Sequence, residues 1–150
     1  MKNKVPPPIL LLLFGAAMWF VAKSEFAYPV SIPYALIIAI VIAVIGVSIA
    51  VLALRRFSAA ETTVNPLKPD TATSLVQSGI FSKSRNPMYV GLVMDLVAWS
   101  VWLQSLGNIV LLLVFIVVLN EWQIKPEEAA MRKLFGDEYA DYCKKVRRWL

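Results

Sequence analysis

The chain has 150 residues, 59% of them hydrophobic and only 17% charged, whereas soluble domains run about 45–50% apolar, and the excess sits in long runs of the kind that cross membranes. The net charge of +5 raises the question of nucleic acid, but the basic residues flank the apolar runs and form no strip interleaved with stacking aromatics, which excludes that class. A single cysteine, Cys143, excludes an internal disulfide, and the lack of histidine removes the commonest metal ligand and the usual neutral-pH base, so no metal site is expected.

Lys2 and Lys4 precede an apolar run from Ile9 to Ala22. A basic start and a short apolar core also describe a signal peptide, but the small-residue cleavage pattern is poor and further spans follow. The run predicts a first transmembrane helix over 9–22, opened by Pro6-Pro7-Pro8. Lys23 to Pro33 is a polar, aromatic turn. A second span is expected over 32–54, stopped by Arg55-Arg56. The stretch from Phe57 to Arg85, with Thr62, Thr63, Asn65, Pro66, Pro69 and Asp70, is too polar to span and too long for a simple turn, and such loops often carry function.

Asn86-Pro87 then opens a helix, Asn suiting the N-cap and Pro the first helical position. A third span is predicted over 88–103, a tight turn at Gln104-Ser105-Leu106-Gly107-Asn108, and a fourth span over 109–122. Together they form a helical hairpin with short arms, to be met by tilt or bilayer thinning. Pro126 opens the next helix, with Glu127 and Glu128 in its first turn, and Gly136 stops it. From Asp137 a last helix is expected to place Tyr139, Tyr142, Cys143, Val146 and Leu150 on one face. Lys144, Lys145, Arg147 and Arg148 fall mostly elsewhere, as in a basic amphipathic helix lying on anionic lipid or packed on the protein's own core.

Four spans put every basic residue except Lys23 on one side, which the positive-inside rule assigns to the cytoplasm. The expectation is a single all-α integral membrane domain over 1–150, with about four transmembrane helices, C-terminal amphipathic helices, both termini cytoplasmic, and segments 55–87 and 123–150 in the cytoplasm. No internal repeat is evident.

The middle loop, the Arg85–Gly91 segment and the Glu121–Glu128 segment all fall on the cytoplasmic side, and the hairpin brings the last two together. A site there opens to water on one side and lipid on the other. The run Ser78-Gly79-Ile80-Phe81 followed by Ser84-Arg85-Asn86-Pro87-Met88-Tyr89-Val90-Gly91 resembles the isoprenylcysteine carboxyl methyltransferase family, which belongs with the phospholipid methyltransferases. Pro126-Glu127-Glu128, Phe135-Gly136, Tyr139, Tyr142 and Val146-Arg147-Arg148-Trp149-Leu150 continue the pattern, and Thr62-Thr63-Val64-Asn65-Pro66 resembles a bacterial version of the preceding loop. The match runs from about Glu61 to Leu150. Asn86 stands where eukaryotic members carry histidine, and the chain is shorter than theirs.

The resemblance implies a helical membrane bundle, in a bacterial inner membrane, that holds S-adenosylmethionine near the cytoplasmic surface. It implies catalytic roles for Arg85, Glu127 and Glu128, and cofactor contacts from Asn86, Pro87, Tyr89, Gly91, Glu127 and Glu128. Physical reasons fit: the helix starting at Pro87 offers free N–H groups and a positive dipole end to a carboxylate, Tyr89 adds a hydroxyl and a ring face, and the glutamates suit an ammonium or sulfonium. Singly, each has a plainer reading: Asn-Pro as a helix start, Gly91 as a packing glycine, the acids as complements to the dipole. Asp95 and Trp99 share a face within the apolar helix, where an ionisable group should face the bundle or a cavity; with Asn65 they are candidates for the substrate pocket. The implied acceptor is a lipid-like or hydrophobic small molecule: a prenylcysteine-type carboxylate, a thiol or a phospholipid amine. The competing readings are a non-catalytic scaffold or small transporter, and a reductase-like relative binding a nicotinamide cofactor. Repeats and a nucleotide-binding glycine motif, which these would favour, are both lacking.

Overall fold

The computed structural model describes residues 5–59 and 74–150; Lys2, Lys4, Asn65 and the rest of the Thr62–Pro66 motif lie outside the described residues. Five α-helices follow in order: α1 (Pro7–Ala22), α2 (Ala35–Ala59), α3 (Pro87–Leu103), α4 (Asn108–Leu119) and α5 (Lys125–Lys145). Short 3-10 turns occupy Glu25–Ala27 and Gly79–Ser82, and a π-turn, Asn120–Ile124, joins α4 to α5. Among the described residues there is no β-strand, only an isolated bridge between Pro29 and Ser105.

Two helices are long and apolar enough to cross a bilayer: α2, and the continuous helix from Asn108 to Lys145; α1 and α3 are shorter apolar helices. The charged part of the second begins at Lys125, so its apolar part is α4 with the π-turn. On α2, Leu36, Ile37, Ile40, Val41, Val44 and Val47 are exposed. An apolar helix with so little of itself buried needs lipid as its solvent. The chain is a membrane protein by this measure. The sequence reading ended the second span at Leu54; α2 instead runs on through Arg55-Arg56 to Ala59. Arginines mark the lipid edge without breaking a helix, since their long stems carry the charge to water.

The interior forms where α1, α3 and α4 meet. Leu10, Met18, Tyr89, Leu96, Phe115, Leu119 and Ile124 make one buried cluster, with the Phe14 and Phe115 rings 5.0 Å apart. α2 packs on α3 through small residues. A Cβ at Gly91 would lie 2.7 Å from the Gly46 carbonyl and 3.4 Å from the Ala50 Cβ, so this crossing is possible only with backbones in close contact.

The end of the bundle away from Glu127 is tied by one turn. Gln104 adopts the left-handed conformation (φ 51°). Its carbonyl accepts from Val30 N–H at 3.0 Å and its side-chain oxygen from Ile32 N–H at 3.0 Å. Ser105 Oγ donates to the Ala27 carbonyl at 2.7 Å, and a Cβ at Gly107 would collide with the Phe26 carbonyl. These bonds join the α1–α2 and α3–α4 connections.

Candidate active site

At the opposite end, the start of α3, the start of α5 and the chain's last residues converge. The π-turn sets this up. Pro126 has no N–H and its ring would crowd the carbonyl four residues earlier in a regular helix. A wider turn precedes it, with Lys125 N–H bonded to the Asn120 carbonyl five residues back. Such turns recur at functional sites. Beyond it, Gly136 kinks α5 with φ 49°, ψ −121°, conformations open to glycine, so the two halves of α5 take different directions. The stop expected at Gly136 is this kink.

The expected last helix does not reach Leu150. α5 ends at Lys145, Val146 is extended (φ −125°, ψ 132°) and Leu150 is exposed. The tail pairs instead with the entrance to α3. Arg85 N–H donates to the Arg147 carbonyl at 3.0 Å, and Asn86 Nδ2 donates to the Arg148 carbonyl at 3.1 Å. Asn86 therefore does not cap α3 with its side chain, as its position suggested. Its own N–H donates to Ser84 Oγ at 3.1 Å. Tyr139, Tyr142 and Val146 are buried together beneath, with Tyr142 donating to the Phe81 carbonyl at 2.6 Å. Of the basic residues assigned to a lipid-facing surface, Arg148 turns inward.

Above this floor lies a cavity of about 320 Å³, within the range of small-molecule sites. Its lining has two parts. Arg85, Asn86, Tyr89, Glu127, Glu128 and Tyr139 supply polar atoms; Pro7, Pro8, Ala50, Phe57, Phe81, Met88, Leu92 and Met131 are among the apolar walls.

The two adjacent glutamates differ in what they touch. Glu128 lies between two guanidinium groups. Arg85 Nη2 approaches its Oε1 at 2.7 Å, and Arg148 Nη2 its Oε2 at 2.6 Å. Arg85 also donates to the Val146 carbonyl at 2.7 Å. Burial would raise the Glu128 carboxyl, but hydrogen bonds and charge from Arg148 and Arg85 hold it below its ordinary value. Glu127 has no cationic partner among the described residues. Burial pushes its carboxyl up to about 7; a hydrogen bond from Tyr89 at 2.6 Å opposes the rise, and the charge of Glu128 adds to it. Glu127 is thus a largely but not fully buried carboxylate in a cavity, with one neutral donor and a proton affinity suited to exchange near neutral pH.

Of the residues singled out in the sequence, Arg85, Asn86, Pro87, Tyr89, Glu127 and Glu128 all line the cavity. Gly91, Asp95 and Trp99 do not. Gly91 is a contact residue of the α2–α3 crossing, and Asp95 sits beside it, its Oδ1 2.7 Å from where a Gly46 Cβ would be. Trp99 donates to the Gly15 carbonyl at 3.0 Å, joining α3 to α1, and packs on Trp102 with centroids 4.8 Å apart. Asn65 lies outside the described residues. Glu121 pairs with Lys125 on the surface. Sequence reasoning missed Arg148 as the second partner of Glu128, and missed Pro7, Pro8, Phe57 and Phe81 as walls. Arg148 and Phe81 stood within recognised motif segments; Pro7 and Pro8 carried no such signal.

Comparison with known proteins bears on this geometry. A family model described as phospholipid methyltransferase matches residues 34–138. An uncharacterized protein of Haemophilus influenzae is 44% identical over 63 residues, covering 42% of this chain and 100% of that protein. The protein-S-isoprenylcysteine O-methyltransferase of Schizosaccharomyces pombe is 41% identical over 76 residues, covering 48% of this chain but only 30% of the yeast enzyme. No solved structure matches. With the family model spanning α2 through most of α5, including both glutamates and the Asn86-Pro87 entry to α3, the chain belongs to the phospholipid methyltransferase family.

Proposed function

We propose that the protein is an S-adenosylmethionine-dependent methyltransferase that acts on a lipid-like acceptor at the cytoplasmic face of a bacterial inner membrane. The observation that carries this reading is the cavity itself, which joins a largely buried carboxylate, Glu127, with no cationic partner among the described residues, to an apolar wall reaching α2. A cationic amphiphile or a cationic cofactor fits such a carboxylate; a neutral or anionic one leaves it unpaired, at a cost of several kcal/mol in a buried setting (roughly 2–5).

S-adenosylmethionine, when bound, supplies a methyl group on an electrophilic sulfonium. Glu127 would hold its positive charge, with Tyr89 orienting the carboxylate, and Asn86 and Pro87 would border the ligand at the entry to α3. Glu128, Arg85 and Arg148 act on the frame: they fix the tail against α3 and so set where Glu127 and Tyr139 stand. Burial also keeps the Tyr139 and Tyr142 hydroxyls protonated, raising both well above the ordinary tyrosine value. An anionic acceptor, carboxylate or thiolate, needs only alignment and exclusion of water. An ammonium acceptor must first lose a proton, and Glu127 could take it only while it is not paired with the cofactor's charge, so an acceptor that is already anionic suits this site better. Orientation in the membrane follows from the charge pattern, with Arg55, Arg56, Lys83 and the α5 cations at the cavity's end of the bundle.

The test is binding of S-adenosylmethionine to the purified protein by titration calorimetry, with radiolabelled methyl transfer to phosphatidylethanolamine vesicles and to N-acetyl-S-farnesylcysteine. Saturable binding that Glu127→Gln and Tyr89→Phe both weaken supports the reading. A folded wild type that binds no cofactor, with or without lipid, refutes it and favours a non-catalytic membrane scaffold.

A further inference from the structure

The cavity has a wall that comes from outside the region matched to the family. Pro7 and Pro8 line it, and both precede residue 34, where that match begins. Three consecutive prolines, Pro6 to Pro8, make this segment stiff, since each ring fixes φ. The segment is also held. Gln123 is 1% exposed, and its Nε2 donates to the Val5 carbonyl at 2.7 Å. The Val5 carbonyl is open to this bond because Ile9 N–H, its regular helical donor, bonds the Pro6 carbonyl instead, at 2.9 Å.

Gln123 is an expensive residue to place there. Its Oε1 is buried with no hydrogen-bond partner among the described residues, and a leucine would fill the same volume without an unsatisfied oxygen. What the amide adds is the bond to Val5. It lies in the π-turn, four positions before Glu127 in the same continuous helix, so it ties the proline segment within about one turn of the carboxylate.

We propose that Pro7 and Pro8, held in place by the Gln123 clamp on Val5, form the wall that selects the apolar chain of the methyl acceptor. The proline rings offer no hydrogen-bond donor, so they discriminate by shape: they face an aliphatic or prenyl chain and limit how far it extends beside Glu127. Gln123 is a positioning residue that acts through Val5. This inference rests on the reading of the cavity as an acceptor site and adds to it which part of the chain sets acceptor length.

The experiment compares wild type, Gln123→Leu and the double variant Pro7→Ala/Pro8→Ala, each as full-length protein in nanodiscs and each checked for native helicity and monodispersity. Dissociation constants are measured for N-acetyl-S-geranylcysteine and N-acetyl-S-farnesylcysteine, probes that differ by one isoprene unit, and separately for sinefungin, a stable cofactor analogue. Loss of one buried hydrogen bond scales to a change of roughly fivefold. The expected result is a shift of about that size or more in the geranyl-to-farnesyl ratio in both variants, with sinefungin affinity held within about twofold. An unchanged ratio in folded variants overturns the proposal, and so does a wild type that binds neither probe. A ratio that shifts in both variants, with a wild type that does not bind sinefungin, upholds the wall and counts instead against the methyltransferase reading.

Discussion

Replacing Glu127 with glutamine separates the demands of folding from those of function, because the two respond with opposite signs. Glu127 titrates near 7 in the folded protein against an ordinary 4.5. At roughly 1.4 kcal/mol per pH decade, the ionised group costs the fold about 3 kcal/mol. For an acid whose folded value is raised, the unfolded chain gives up its proton first. Stability therefore falls as pH climbs from about 4.5 to about 7, and the full cost is present above 7. Glutamine keeps an oxygen to accept from Tyr89 and carries no charge. Glu127→Gln should thus stabilise the cofactor-free protein by about 3 kcal/mol at pH 8 but by only about 1.4 kcal/mol at pH 5.5, where the wild type already holds the proton. In melting temperature that is roughly 5–10 °C at pH 8 and about half as much at pH 5.5. Scanning fluorimetry in detergent at both pH values measures it, with sinefungin titrated into each sample. Affinity should move the other way, weakening by about 30-fold or more as a buried charge loses its partner. Equal stabilisation at the two pH values would refute the buried-carboxylate account, and unchanged sinefungin affinity would refute Glu127 as the cationic contact.

The same linkage predicts proton release. Calorimetric titration of S-adenosylmethionine at pH 6.5 should give enthalpies that vary with buffer ionisation heat, because a bound cation drives a proton off Glu127; at pH 8.5 the dependence should vanish. Glu128→Gln should behave quite differently, destabilising the protein by about 2–4 kcal/mol through two unpaired arginines, with a lowered melting temperature whether or not cofactor is present. Gly91→Leu should push α2 from α3 and cost about 1–3 kcal/mol in denaturation assays, since even a Cβ there meets the Gly46 carbonyl at 2.7 Å. Asp95→Asn, by contrast, should leave sinefungin affinity within about twofold, because Asp95 does not line the cavity; a larger loss would return it to the site.

The helices were legible where composition alone determines them. The run expected over 9–22 is α1 at Pro7–Ala22, and that expected over 88–103 is α3 at Pro87–Leu103, since an apolar run bounded by prolines and polar turns has one way to satisfy its backbone in lipid. The polar frame was less legible. Asn86 before Pro87 has the local chemistry of a cap, yet its amide bonds the Arg148 carbonyl, a residue 62 positions away. Nothing between Lys145 and Leu150 breaks a helix by propensity: there is no glycine or proline. The helix nevertheless stops at Lys145, and Arg85 and Asn86 take the tail's carbonyls, a tertiary pairing that no local pattern encodes. The same blindness hid Pro7, Pro8 and Gln123, whose meeting depends on how α1 docks beside the π-turn.

The pair Glu127-Glu128 shows how two identical residues acquire different chemistry. Neighbours on a helix point about 100° apart, so one π-turn that places Glu128 toward the tail must place Glu127 elsewhere, here toward Tyr89 on α3. The arginines then complete the division. Among the described residues, the guanidinium groups of Arg85 and Arg148 both engage Glu128, and their partner stays ionised. Glu127 is left with a phenol, which supports a carboxylate without neutralising it. Moving the tail would undo this. If Arg148→Ala frees the end of the chain, Arg85 has one carboxylate to itself, and its hold on the Val146 carbonyl weakens as the tail departs. Arg85, no longer held by the tail, should turn its charge toward the neighbouring Glu127, which would lower the carboxyl's proton affinity. The expected signature is a loss in Arg148→Ala of the buffer-dependent heat seen at pH 6.5 in wild type, although Arg148 itself is about one-third exposed (35%) and touches neither Glu127 nor Tyr89. Retention of the full proton release in that variant would show that Glu127 is isolated from the arginines by the helix alone, and that the tail contributes stability but not the tuning of the site.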